Sequence, residues 1–198
     1  MSTALLWFHN DLRLGDNPAL VKAIESGKPV IPLFIWDEND SDLHTGRAAM
    51  WWLHQSLDKL SSRIEGLGNK LILRKGNPKD IVKEIINEYD VSTVYLNRRF
   101  EPPIIERDEH ILSDIDHTVT NGNLLFDPED IRTMQDKQYT VFTPFWKNCK
   151  TKSEPDEPLP IPSSIPAPKK LPNSLSIDEM KLLPKIKWYT TFEKKWRP

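Results

Sequence analysis

Apolar runs at 4–8, 29–36, 70–74 and 92–97 alternate with segments of helical period, and this alternation limits the fold more than any other feature of the chain. In Ala4-Leu-Leu-Trp-Phe8 four of five residues are bulky and apolar, the pattern of a strand covered on both faces. Asn17-Pro18 and Asn77-Pro78 then open two helices by one device. Asparagine caps the helix with its side-chain oxygen, and proline at the first helical position gives up an N–H that had no partner there. Gly27 supplies the stop of the first helix.

The longest helix is expected from Thr45 to about Gly66, with Met50, Leu53, Leu57, Leu60 and Ile64 three or four apart on one face. Ile81, Val82, Ile85 and Ile86 form the buried side of the next, and 104–112 continues as a helix. A last strand region is read at 118–119 and 124–126, and Thr143-Pro144 starts a short helix through Trp146. Pro29 and Pro32 belong near the strand start or an irregularity. Strands and helices spaced by roughly 20–30 residues are the mark of βαβ units. The fold class is therefore α/β: a doubly wound, five-stranded, mostly parallel sheet, Rossmann-like in layout. Ligands of such sheets sit at the carboxyl ends of the strands, which directs attention to the loops after Phe8, Trp36, Arg74 and Leu96.

Composition divides the chain near residue 150. Nine of the seventeen prolines fall in residues 151–198, which reads as a Pro-rich linker after a domain at 1–150. Leu182, Leu183, Ile186, Trp188, Tyr189, Phe192 and Trp196 qualify this as a strap that packs on something, while a proline-dense segment without its partner is expected to be protease-sensitive. Residues 1–150 carry 18 Lys and Arg against 23 Asp and Glu, and residues 151–198 carry 9 against 6. An acidic body is a poor binder of the phosphate backbone by itself. No apolar run approaches the ~20 residues of a membrane span, and residues 1–6 lack the start of a secretory signal, so a cytoplasmic protein without membrane contact is expected. One cysteine, Cys149, and His44, His54, His110 and His117 without ligand spacing give no thiol or zinc centre.

No G-x-G-x-x-G comes after the first strand, and no phosphate loop, G-x-S-x-G elbow or His-Glu-x-x-His pair occurs. The body holds no recognisable catalytic constellation. Instead the first strand leads into Trp7-Phe-His-Asn-Asp-Leu-Arg-Leu-Gly-Asp-Asn-Pro-Ala-Leu20, and with this run the chain resembles the amino-terminal domain of the DNA photolyase/cryptochrome family. Further matches come in family order: Pro32-Leu-Phe-Ile-Trp36, Gly46-Arg-Ala-Ala, Gly76-Asn-Pro, Val94-Tyr-Leu-Asn-Arg-Arg-Phe-Glu-Pro102 and Val141-Phe-Thr-Pro-Phe-Trp146. They span residues 4 to about 150, and the stretch ending Trp196-Arg-Pro198 resembles the family's long linker.

The resemblance implies a light-harvesting and scaffolding domain. Family members join it to a helical domain that binds FAD and splits cyclobutane dimers by photoinduced electron transfer. That domain is not encoded in these residues, so the chain alone is expected to bind no stoichiometric FAD and to repair nothing. Damaged DNA would be met only through that partner. An antenna chromophore, a deazaflavin or a flavin, is implied at Phe8, His9, Asn10, Trp36, Asp37, Arg47, Asn97, Arg99 and Glu101. Folate is less favoured, because the adjacent Asn-Glu pair of folate-binding members is Pro103-Ile104 here. Many members have arginine at His9, and the deazaflavin type has an acidic residue at Arg99.

Structural roles compete for the same residues. Asp11, Arg13, Asp16 and Asn17 can tie the first loop to the first helix by capping and a salt bridge. Arg47 is read either as a solvated side chain or an anion contact, and Glu101 either as a stabiliser of the next helix N-terminus or a ligand. Trp51 and Trp52 are packing residues, one of which can face outward, while Trp7, Trp36 and Trp146 are core or interface aromatics. A stand-alone nucleotide- or chromophore-binding sensory module, a structural module docking a helical partner and a cryptochrome signalling fragment remain as alternatives.

Overall fold

The computed structural model describes residues 2–38, 46–127, 129–152, 154 and 156–195. Thr45, His44, Trp196 and the side chain of Phe192 lie outside the described residues.

Five strands, β1 (Thr3–Phe8), β2 (Val30–Trp36), β3 (Ile72–Lys75), β4 (Val91–Asn97) and β5 (His117–Thr120), form one sheet in the order β3-β2-β1-β4-β5. Every adjacent pair is parallel, where the sequence led us to expect a mostly parallel sheet. Helices α1 (Pro18–Glu25), α2 (Arg47–Gly66), α3 (Pro78–Glu88) and α4 (Pro102–Leu112) connect successive strands. All six residues of β1 are buried, because both its faces are covered. Ala4, Leu6 and Phe8 meet α1 and the Leu57, Leu60 and Ile64 stripe of α2, whereas Leu5 and Trp7 meet Ile81, Val82 and Ile85 of α3 and Ile111 and Leu112 of α4. The period-2 alternation of one strand thus feeds two cores.

Three local expectations are corrected. Residues 124–126 form no strand, and β5 is confined to His117–Thr120, since Gly122 and Asn123 turn the chain toward Arg13. Pro32 is the third residue of β2, paired with Leu6, and not at the strand start. A parallel ladder tolerates it at the loss of one donor, because the neighbouring residues keep the pairing. Helix α5 (Phe142–Cys149) runs a turn beyond Trp146 and ends on buried Cys149.

The Pro-rich segment is part of the packed molecule. Ile165, Met180 and Leu182 are each about 1% exposed or less and belong to the core beneath α2. The main chain is pinned at four places: Asp16 N–H to the Leu159 carbonyl (2.8 Å), Ile165 N–H to Leu67 (2.9 Å), Val30 N–H to Pro166 (2.7 Å) and Leu175 N–H to Leu73 (2.9 Å). Ser174 Oγ also accepts from Leu73 N–H at 2.9 Å, so the strap caps the open edge of β3. Its own prolines then stop the sheet from recruiting another strand. A short helix, α6 (Thr190–Glu193), closes the described tail, which the proline content had argued against. The expected protease sensitivity is therefore reversed. Limited trypsin digestion should leave residues 159–182 as protected as β1, with cleavage first at the exposed lysines 150 and 152; early cuts at Lys169 or Lys181 would show the strap to be detached.

Candidate functional site

At the carboxyl end of the sheet, the loop after β1 is built around Asn97, the last residue of β4. The Asn97 side chain is 1% exposed and makes four hydrogen bonds. Its Nδ2 donates to Asp11 Oδ2 (2.5 Å) and Asn17 Oδ1 (2.9 Å), and its Oδ1 accepts from Thr120 Oγ1 (2.7 Å) and Ala19 N–H (3.3 Å). Asn17 caps α1 through Leu20 N–H at 3.1 Å, and Asp11 Oδ1 accepts from His9 N–H at 2.8 Å. One amide thus joins β1, α1, β4 and β5. Gly122 completes the arrangement, since a Cβ there would collide with the Asn97 side chain. Arg13 donates to the carbonyls of Asp16 (2.8 Å) and Gly122, so the expected salt bridge is replaced by main-chain anchoring. Asp16 adopts φ 50°, a left-handed turn that turns its side chain onto Leu159 N–H.

Two of the cavities beside this loop reach the strand ends and share Asn10 and Trp36. The larger, about 570 Å3, lies between Asn10, Asp11, Leu12 and Arg13 on one side and Gly46, Ala49, Trp52, Leu53 and Ser56 of the α2 start and face on the other, with Trp36 as a further wall. Trp52 is 46% exposed, which makes it the outward member of the tryptophan pair; Trp51 is buried and stacks on Tyr189 at 6.2 Å. The volume and the aromatic walls suit a planar ring system of flavin size. A smaller cavity, about 110 Å3, is lined by Trp7, His9, Asn10, Phe34, Ile35, Trp36, Asp37, Pro78, Arg99 and Arg107.

His9 is 7% exposed, and its pKa is lowered to about 3 by burial first and then by the Arg107 and Arg99 guanidiniums. Its Nε2 lies 3.3 Å from Asp108 Oδ2 outside hydrogen-bond geometry, so a neutral imidazole faces that carboxylate and no ion pair forms. Arg99 is 9% exposed and grips Glu101 with Nη2 to Oε1 at 2.6 Å and Nε to Oε2 at 3.1 Å. That hydrogen bond is the main cause of a Glu101 pKa lowered to about 2. Glu101 stands at the N-cap of α4 but makes no side-chain cap bond, because its carboxylate is turned to Arg99 and to Phe100 N–H.

The structure gathers His9, Asn10, Trp36, Asp37 and Arg99 at the strand ends. Phe8 is 1% exposed and packs in the core, and Asn97 spends its amide on the loop network. Arg47 is exposed and lines a different groove, with Met50, His54, Leu182 and Lys185, on the strap side of α2. The helical period decides this: residues 49, 52, 53 and 56 face the strand-end cleft, and 47, 50 and 54 do not. Trp52 and Arg107 were not among the site residues read from the sequence. Trp52 is placed by that same period once the cleft is known; Arg107 lies on α4 and gave no local signal.

The family model described as DNA photolyase matches residues 4–166. This chain belongs to the DNA photolyase family. The deoxyribodipyrimidine photo-lyase of Agrobacterium fabrum is 40% identical over 200 residues, covering 98% of this chain and 41% of that protein. Cryptochrome-2 of Arabidopsis thaliana is 34% identical over 165 residues, covering 80% of this chain and 27% of its own length. A crystal structure of a bacterial class III photolyase from Agrobacterium tumefaciens superimposes with a TM-score of 0.93 at 36% identity, covering all of this chain and 42% of the other. The chain thus corresponds to the N-terminal α/β domain of photolyases and cryptochromes and spans about two fifths of the photolyase it matches. Among the described residues no helix is long and apolar enough to cross a membrane.

Proposed function

We propose that this chain is the light-harvesting and scaffolding domain of a blue-light-dependent DNA photolyase. The observation that carries the reading is the cleft between the β1 loop and α2, walled by Trp36 and Trp52 and placed at the carboxyl end of a photolyase-family sheet. A planar chromophore of the flavin or deazaflavin class fits there. When bound it would absorb blue light and pass the excitation to an FAD held by a helical domain, where the dimer is split. The residues of this chain bind and orient. Trp36 and Trp52 supply aromatic surface, Arg13 and Asn10 polar contacts at the mouth, and the Asn97 network holds the loop that carries them. No residue of the chain acts on the lesion, and damaged DNA is reached through the helical partner. A cytoplasmic site of action goes with this role.

Chromophore retention tests the reading. Expressed with its helical domain, the wild type should copurify with a second chromophore besides FAD, whose absorption after release separates flavin, deazaflavin and folate. Trp36→Ala and Trp52→Ala should each lower retention by about tenfold or more, since stacking on an aromatic face is worth about 1–3 kcal/mol per ring, with repair through directly excited FAD preserved. Arg47→Ala should retain it. Full occupancy in both tryptophan variants would move the chromophore elsewhere.

A further inference from the structure

A groove of about 760 Å3 lies between α2 and the strap, and it shares no lining residue with the strand-end cleft. Arg47, Met50 and His54, three and four residues apart, bring one face of α2 to it, and the strap supplies an unbroken run from Lys181 to Ile186. That run opens on Lys181 at φ 53°, a left-handed conformation that a residue with a Cβ adopts at a cost. Backbone held in this way concentrates at binding sites, where the surrounding structure over-determines it.

Charge and polarity decide what the groove takes. Arg47 lines it from α2 and Lys181 and Lys185 from the strap; all three are exposed, and among the described residues none is in an ion pair. Asp178 is the one carboxylate of the described wall, so positive charge is in surplus there although the chain as a whole has a net charge of -2. Like charges that converge from two elements repel, and an anion placed between them turns that repulsion into attraction. The rest of the wall is largely apolar: Met50 and Pro184 line it, and Ile186 is 70% exposed. His54 adds a polar group with one free direction. Its Nδ1 is buried without a partner, and in the neutral ring an orphaned lone pair is more readily tolerated than an orphaned N–H, which puts the proton on Nε2 as a donor.

We propose that this groove binds a nucleoside triphosphate, with its phosphates among Arg47, Lys181 and Lys185, its base on the apolar wall and His54 as a hydrogen-bond donor to the base. The volume is that of a small-molecule site. Phosphate oxygens match a guanidinium fork and two ammonium groups, and a triphosphate carries enough charge to engage all three at once. An inorganic polyphosphate would leave the apolar wall bare, and a nucleoside would leave the cations unmatched. The site does not depend on the chromophore reading, since the two share no residue. Because one wall is helix and the other strap, a bound nucleotide ties the strap to α2 and stabilises the folded chain by mass action.

ATP, AMP and inorganic tripolyphosphate, each titrated into the chain by calorimetry at physiological salt without divalent cations, test the assignment. ATP should bind with one-to-one stoichiometry and raise the melting temperature, while AMP and tripolyphosphate bind about tenfold more weakly, one for want of charge and the other for want of a base. Arg47→Ala and Lys185→Ala should each weaken ATP by about three- to tenfold, and because both side chains are exposed the variants should melt with wild type. His54→Phe should weaken ATP and leave tripolyphosphate as it was. Trp36→Ala, in the cleft, should bind ATP normally. No saturable binding of ATP, or unchanged affinity in Arg47→Ala and Lys185→Ala, overturns the proposal. Tripolyphosphate binding as tightly as ATP reduces the groove to a basic patch and overturns it too. Loss of ATP in Trp36→Ala would put the nucleotide in the cleft instead. ATP binding by this chain that vanishes once the helical domain is joined to it would make the groove a seat for that domain, and would equally overturn the assignment.

Discussion

Asn97→Asp should be among the most damaging single substitutions in the chain. The amide nitrogen that now donates to Asp11 at 2.5 Å and Asn17 at 2.9 Å would become an oxygen, placing a second carboxylate against the first in a site 1% exposed. Leaving buried partners unpaired costs about 1–3 kcal/mol each, and a like charge adds to it, so a loss of about 3–5 kcal/mol is expected. Against a total stability of about 5–15 kcal/mol for a domain, that should lower the melting temperature by about 10 °C or more. Gly122→Ala should act at the same place by sterics, and because the two share one contact the double variant should lose less than the sum. A drop of only a degree or two in Asn97→Asp, read by circular dichroism, would mean that the loop is held by other means.

The second large effect is a loss of stability in mild acid traceable to His9. Its pKa is about 3 in the folded chain and 6.5 when unfolded. Between these values the unfolded state binds a proton that the folded state does not, so stability rises with pH through this window. The contribution is complete above about 6.5 and falls away as pH drops toward 3. At about 1.4 kcal/mol per unit the full window is worth about 5 kcal/mol. Glu101, with its carboxylate held down to about 2 by Arg99, loses its own smaller contribution below the ordinary glutamate range, at more acid pH. Urea midpoints for wild type and His9→Phe, compared at neutral pH and near pH 4, separate the two: the variant should show a flatter profile in the upper window. Parallel profiles would place the proton uptake on another group.

The architecture was legible because its signals are local. Asn17-Pro18 and Asn77-Pro78 cap α1 and α3 as expected, through Leu20 N–H and Lys79 N–H. The stripe of Leu57, Leu60 and Ile64 is the buried side of α2. What sequence could not supply depends on groups distant along the chain. Asn97 reads as a strand-end ligand residue until Thr120 and Asp11 are seen to consume its amide. Arg47 and Trp52 lie five residues apart on one helix, and only the position of the strap and the β1 loop tells which face each one meets. His9 gave its type in the sequence, but its neutrality comes from burial and from Arg107 on α4. Proline density argued for a connector because proline forbids helix and inner strand, and the apolar residues of that segment for a strap that packs on something; neither told that its extended chain lies along the β3 edge of this same domain.

That edge closure has a consequence for how the molecule assembles. The bonds from Leu159 to Asp16, Pro166 to Val30 and Leu175 to Leu73 join positions about a hundred residues or more apart, and Met180 and Leu182 sit in the same core as Leu6 and Phe8. Loops of that span are the slow, entropically costly contacts of a folding chain. During synthesis the sheet can therefore form early, yet β3 keeps a bare edge and the α2 core keeps an open flank until about sixty residues beyond β5 have left the ribosome. The interval between those two events is the chain's period of greatest exposure to misassembly, and the strap's arrival ends it.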